Sequence, residues 1–271
     1  SYSFTEGLQP EHFEAKIKAN TKVIYIETPS NPLLTITDLS AISKIAKQHG
    51  LVSMIDNTFA SPVNQNPIDF GIDVVIHSAT KYMGGHSDIL AGAVASTTEY
   101  MERIFQLAKN FGGSLSDYTV WLLERSIKTM GIRVKAQNEN AQKMAEYLYQ
   151  NPNIQSVYYP GLPSHPDHEL AKSQMKGFGG MLSFELKADI DAYQFQKSLQ
   201  LIKSSMSLAG VESTVLSPTK TSHSLLSAEE RANQGIADGL IRFSIGIEEI
   251  EDLIEDIEQA ILKVKNSIVS L

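Results

Sequence analysis

Two short apolar runs, each leading straight into a polar turn, constrain this 271-residue chain most. Leu51-Val52-Ser53-Met54-Ile55 leads into Asp56-Asn57-Thr58. Asp73-Val74-Val75-Ile76-His77 leads into Ser78-Ala79-Thr80-Lys81. Runs of this length bounded by turn residues read as buried parallel strands. Open α/β sheets bind ligands beyond the carboxyl ends of such strands. Asp56 and Lys81, 25 positions apart, both fall there.

An acid and a lysine so placed suit pyridoxal phosphate (PLP). The lysine forms a Schiff base and the acid keeps the ring nitrogen protonated. Ser78 and Thr80 precede Lys81 by three and one positions and offer hydroxyls to a phosphate. Gly84-Gly85 permits close backbone approach. Each residue also has a plainer reading. A lone lysine is usually a solvated surface group, and Asp-Asn-Thr after a strand often begins a turn or caps a helix. Gly84-Gly85 is no Walker loop, because no Gly-Lys-Ser/Thr follows. His77 and His86, with Asp88 nearby, fit no common metal-ligand spacing and are read as structural.

Composition narrows the alternatives. Hydrophobic residues make up 42% and charged residues 20%, enough for a sizeable core. The net charge of -8 argues against a nucleic-acid surface. With no cysteine, disulfides, thiolate metal sites and cysteine nucleophiles are excluded. No apolar stretch approaches a membrane span, and the first residues lack the basic and apolar regions of a signal peptide. A cytoplasmic location is expected. The chain opens on Ser1 rather than methionine, which points to processing, cleavage or a fragment.

The pattern predicts a helix over 10–20, a strand over 22–27, and a loop at Thr28-Pro29-Ser30-Asn31-Pro32. A helix over 38–49 follows, ended by Gly50, then the two strands above and another over 91–96. Strand, helix, strand, loop, strand is the grammar of a parallel sheet with crossover helices. Helices are expected over 98–109, 117–129 and 132–150. Strands are expected over 154–159, 180–186 and 240–245, with a helix over 189–199. Ser227 with Glu230 forms a capping box. The last helix places Ile250, Leu253, Ile254, Ile257 and Ile261 on one face. A domain boundary is expected near Met130, giving domains 1–130 and 131–271.

Ser78-Ala79-Thr80-Lys81-Tyr82-Met83-Gly84-Gly85-His86-Ser87-Asp88 resembles the cofactor-lysine signature of the Cys/Met metabolism PLP-dependent enzymes. Supporting matches are Glu27-Thr28-Pro29-Ser30-Asn31-Pro32, Asp56-Asn57-Thr58-Phe59, the run from Tyr159 to Pro166, and the run from Leu240 to Glu248. The resemblance implies fold type I, which is aspartate aminotransferase-like. That fold has a mostly parallel sheet with helices on both faces and a smaller α+β C-terminal domain. It implies Lys81 as the Schiff-base lysine and proton shuttle, and Asp56 on the pyridine nitrogen. Ser78 and Thr80 then contact the phosphate. Asn31 lies near the cofactor's phenolic oxygen and the substrate carboxylate. Arg242 clamps that carboxylate, and Ser207 lines the same site. The implied reaction is β- or γ-elimination or γ-replacement on methionine, homocysteine, cystathionine or an O-acylhomoserine. The implied assembly is a homodimer or homotetramer with shared active sites.

Two departures from the family bear on these expectations. Family members are longer at the amino end, so the phosphate-cradling helix start and the ring-stacking aromatic have no counterpart here. Weak cofactor binding and slow turnover are therefore expected of this chain alone. Members that handle cystathionine by γ-chemistry tend to carry an acid before Ser-Leu-Gly-Gly. Met206 stands there, and Ala209 replaces a glycine. A thioether cannot receive a distal ammonium, which favours a substrate with an apolar end and a methionine γ-lyase-like activity. Cystathionine γ-synthase, cystathionine lyase and O-acetylhomoserine sulfhydrylase are the alternatives within the family. A catalytically impaired chain with an assembly role, or an aminotransferase of the same fold, are the alternatives outside it.

Overall fold

The computed structural model describes residues 1–221, 227–233 and 235–269. Its first part runs α1 (Pro10–Glu14), β1 (Val23–Glu27), α2 (Leu39–Gln48), β2 (Val52–Asp56), α3 (Ser61–Asn64), β3 (Val74–Ser78) and β4 (Gly92–Ser96). The four strands form one sheet in the order β1-β2-β3-β4. β1, β2 and β3 are parallel, as the turn-bounded apolar runs predict, whereas β4 runs antiparallel to β3. The register sets Glu27 beside Asp56 and Ser78 beside Gly92. Three strands thus end together at one edge, and polar residues follow each of them.

The alternation in β1 buries Ile24 and Ile26 against α2 and leaves Val23, Tyr25 and Glu27 exposed. Helix α2 returns Leu39, Ile42, Ile45 and Ala46 to the same cluster. Its cap is Asp38, whose carboxylate accepts from the Ala41 amide at 2.9 Å. Helix α1 is shorter than the predicted 10–20. The Lys18 amide is claimed by the Thr21 hydroxyl at 2.9 Å, which closes a turn where the helix would have continued.

The chain continues through α4 (Thr98–Phe111), α5 (Asp117–Ile127), α6 (Met130–Gln150), β5 (Ile154–Tyr158), α7 (His168–Gln174), β6 (Met181–Leu186) and α8 (Ala192–Ser198). It ends with β7 (Lys203–Ser204), β8 (Thr214–Leu216), α9 (Ala228–Asn233), β9 (Leu240–Ser244) and α10 (Ile250–Val269). These strands build a second sheet in the order β5-β6-β9-β8-β7. It is antiparallel except for the β7–β8 pair. Its core brings Leu148 of α6, Phe195 of α8 and Leu253, Ile257 and Ile261 of α10 onto Phe184 and Phe243. Phe184 meets Phe195 and Phe243 edge-on, with centroids 6.1 and 6.4 Å away. The capping box forms: the Ser227 amide reaches Glu230 Oε2 at 2.7 Å, and the Glu230 amide reaches Ser227 Oγ at 3.2 Å.

The loop after β1 is fastened by the second part of the chain. Ser183 Oγ donates to the Pro32 carbonyl at 2.6 Å, and Gln174 Nε2 to the Thr37 carbonyl at 3.0 Å. The Ile36 amide donates to Asp167 Oδ2 at 3.0 Å. A third cluster joins Leu34, Phe59, Tyr82, Val134, Met181 and Leu208 across the same seam. The carboxyl edge of the first sheet is thereby held against the second sheet.

Candidate active site

Lys81 stands on a tightly bonded turn after β3. The Ser78 amide is held by Thr58 Oγ1 at 2.8 Å, and the Lys81 amide returns to the Ser78 carbonyl at 3.0 Å. The Gly85 amide then donates to the Lys81 carbonyl at 2.7 Å. From α6 the buried Arg133 clamps this turn. Its guanidinium donates to the carbonyls of Tyr82 (2.9 Å), Met83 (3.3 Å) and Ser126 (3.0 Å). Sequence reasoning missed Arg133. The signal available was a charged residue beside Val134, at helical spacing from Gln137 and Ala141 on the buried face of α6.

Gly85 is where this clamp demands glycine. Its φ is +68°, and an added Cβ would lie 1.8 Å from Arg133 Nη1. Gly85→Ala is therefore expected to destabilise the fold by about 2–4 kcal/mol, from left-handed strain plus overpacking. The urea unfolding midpoint measures this. A midpoint equal to that of the parent would show that the clamp yields freely.

The Lys81 amine has no hydrogen-bond or ion-pair partner among the described residues. Burial, and then the positive charge of Arg242, lower its pKa from the usual lysine value. One strand away, Asp56 Oδ1 accepts from the Thr58 amide at 2.9 Å. Glu27, its neighbour in register, accepts from the Asn31 amide at 3.3 Å. Glu27 keeps exposed surface at the end of β1, and partial loss of hydration there together with the Asp56 charge pushes its pKa up to about 7. The Ser78 hydroxyl is without a partner among the described residues. The Thr80 hydroxyl is engaged with Ala91, accepting from its amide at 3.0 Å and donating to its carbonyl at 3.3 Å.

Arg242 enters from β9, where it lies between Ser183 and Leu216. Its guanidinium donates to Asn31 Oδ1 at 3.3 Å and to the Met206 carbonyl at 3.1 Å. The residue is only 5% exposed, and burial lowers its pKa to about 10. No carboxylate pairs with it among the described residues. Arg242 and Asn31, 211 positions apart, thus meet where the loop after β1 reaches β9. Ser207 lies next to Met206 and is half-buried. Its backbone is fixed by Ser205 Oγ and Thr214 Oγ1, and its hydroxyl carries no bond among the described residues. Of the remaining candidates, buried His77 has a lowered pKa because of its burial, and His86 Nδ1 bonds the Gly84 carbonyl at 2.7 Å. Among the described residues no cluster of three His, Asp or Glu could hold a metal.

The donor set fits PLP. Among the described residues it offers a half-buried amine with no partner, a carboxylate at the neighbouring strand end, an unbonded hydroxyl at Ser78, and a buried guanidinium with no carboxylate partner. Two cations facing one cleft favour an anionic ligand.

The comparisons with known proteins agree. The family model for Cys/Met metabolism PLP-dependent enzymes matches residues 1–262. Cystathionine gamma-lyase of Bacillus subtilis (strain 168) is 46% identical, over 96% of this chain and 69% of that protein. Cystathionine beta-lyase of Lactococcus lactis subsp. cremoris (strain MG1363) is 47% identical, over 97% of this chain and 69% of that protein. A crystal structure of cystathionine gamma-lyase from Lactobacillus plantarum complexed with L-serine superposes with a TM-score of 0.93. It is 43% identical, over 95% of this chain and 68% of that one.

Proposed function

This chain belongs to the Cys/Met metabolism PLP-dependent enzyme family, and on that premise we propose that it cleaves the carbon–sulfur bond of a sulfur amino acid bound through its carboxylate to Arg242. The observation that carries this reading is the buried guanidinium with no carboxylate partner among the described residues. A planar fork matches a carboxylate in a bidentate pair.

Bound PLP supplies the electron sink that makes the substrate's Cα–H acidic. The protein's own groups do the rest. Lys81 would anchor the cofactor covalently and, once the substrate's amine has displaced it as free amine, would remove the Cα proton and, for γ-chemistry, move a proton at Cβ. Its lowered pKa raises the fraction of free amine, the form that attacks a carbonyl and accepts a proton. Asp56 balances the charge on the ring nitrogen. Ser78 holds the phosphate, and Thr80 does so if its hydroxyl turns away from the Ala91 carbonyl. Asn31 is shared between the cofactor's phenolic oxygen and Arg242, while Ser207 lines the substrate side. We place the cofactor-binding domain at 1–130 and the smaller domain at 131–271. We infer a homodimer or homotetramer in the cytoplasm. Among the described residues no helix is long and apolar enough to cross a membrane.

Met206 supports methionine or homocysteine as substrate, because its thioether offers nothing to a distal ammonium. Cystathionine is the second reading, favoured by the names of the relatives at 46–47% identity. A panel of methionine, homocysteine, cystathionine and O-acylhomoserine, with identification of the products, separates the two. Methanethiol or hydrogen sulfide with ammonia and a keto acid is the expected outcome. Turnover of cystathionine alone would transfer the assignment to the second reading, and a keto acid without thiol or ammonia would mean an aminotransferase.

A further inference from the structure

We propose that Glu27 is a positioning residue of the cofactor site. Placed beside Asp56 in the sheet register and bonded to the Asn31 amide, it couples the acid that faces the cofactor nitrogen to the loop that steadies Arg242. The inference rests on the assignment of Asp56 and Arg242 above.

The geometry is a relay of two hydrogen bonds, each of 3.3 Å. β1 and β2 are parallel and in register from Val23 and Val52 to Glu27 and Asp56, so both carboxylates leave the sheet at its carboxyl edge on the same side. Glu27 Oε1 accepts the Asn31 amide, and Asn31 Oδ1 accepts Arg242 Nη1. Two like charges at adjacent strand ends raise the proton affinity of one of them. The strain falls on Glu27, whose pKa rises to about 7, first through lost hydration and then through the Asp56 charge. The other groups facing this pair are Tyr25 on β1, His77 on β3, which senses the Asp56 charge, and Arg242 through Asn31. None supplies a cation in direct contact with Glu27. Below about pH 7 Glu27 is therefore neutral, and above it Glu27 adds a second negative charge beside Asp56. That added charge strengthens the hold on a protonated ring nitrogen.

The test uses the PLP-loaded protein with Glu27→Gln, Glu27→Ala and Asp56→Asn. The absorbance of the bound cofactor is followed against pH, together with KM and kcat. The parent should show an ionisation above the ordinary carboxylate range that Glu27→Gln removes. Glu27→Gln keeps an acceptor for the Asn31 amide, so its KM should stay near that of the parent. Glu27→Ala should lose the ionisation and also raise KM by about 3- to 10-fold, the loss of one hydrogen bond. A Glu27→Gln titration identical to the parent's overturns the proposal, provided Asp56→Asn alters the spectrum. If Asp56→Asn leaves the spectrum unchanged, the assignment of Asp56 fails, and the proposal fails with it.

Discussion

Lys81→Ala should lower turnover by roughly three orders of magnitude or more, the combined loss of a covalent anchor and an acid–base group. The size follows from what else the site offers. Among the described residues Lys81 is the amine whose pKa is lowered by burial and by the Arg242 charge. Among the described residues no second amine stands ready to take its place: Asp56 is held by the Thr58 amide, His77 is buried in the sheet, and a carboxylate such as Glu27 cannot form the imine. The turn that carries Lys81 is fixed by backbone bonds at Ser78 and Gly85 and by Arg133. Removing the side chain should therefore leave the fold and its unfolding midpoint intact. Lys81→Arg keeps the charge but cannot form the imine, so it should lose as much activity as the alanine variant. Borohydride reduction of the loaded parent followed by peptide mapping should place the pyridoxyl group on Lys81. A label on another lysine, or an alanine variant within tenfold of the parent, would remove Lys81 from the mechanism.

The first sheet was legible because β1 is written as an alternation ending at Glu27, and β2 and β3 as apolar runs ending at Asp56 and Ser78. Two of those stops, Asp56 and Ser78, are also residues of the proposed site, so the strands and the proposed chemistry share one signal. Strand direction is not encoded in periodicity. The return from Lys81 to Gly92 is set by the two-way bonding of Thr80 with Ala91, and it makes β4 antiparallel. β7 and β8 escaped notice because the pairs Lys203–Thr214 and Ser204–Val215 are too few to leave a pattern. Arg242 could be picked out, since a charged residue inside the run from Leu240 to Ile245 is out of place in a buried strand. Glu27 stood inside a recognisable motif, yet its role depends on the register with Asp56, a fact of the fold rather than of the local sequence. Arg133 acts through carbonyls about 50 positions away, and nothing near it in the chain announces them.

Arg242 should separate activity from stability. The folded chain holds its guanidinium 5% exposed, bonded among the described residues to the Asn31 side chain and the Met206 carbonyl. Its lowered pKa means that the charged form is less comfortable here than in water. A buried charge without a counter-charge opposes folding, and replacing it with an apolar side chain of similar length removes that penalty. Arg242→Met should therefore unfold at a urea concentration equal to or above the parent's. The same variant should lose about 10- to 100-fold in kcat/KM, the worth of charge-assisted bonds to a substrate carboxylate. Most of that loss should fall on KM if the clamp holds substrate and transition state alike. Arg242→Lys keeps the charge but not the fork, and it should recover only part of the affinity. If Arg242→Met instead unfolds earlier while its KM is unchanged, the guanidinium is a strut between the sheets, and the substrate carboxylate is held elsewhere.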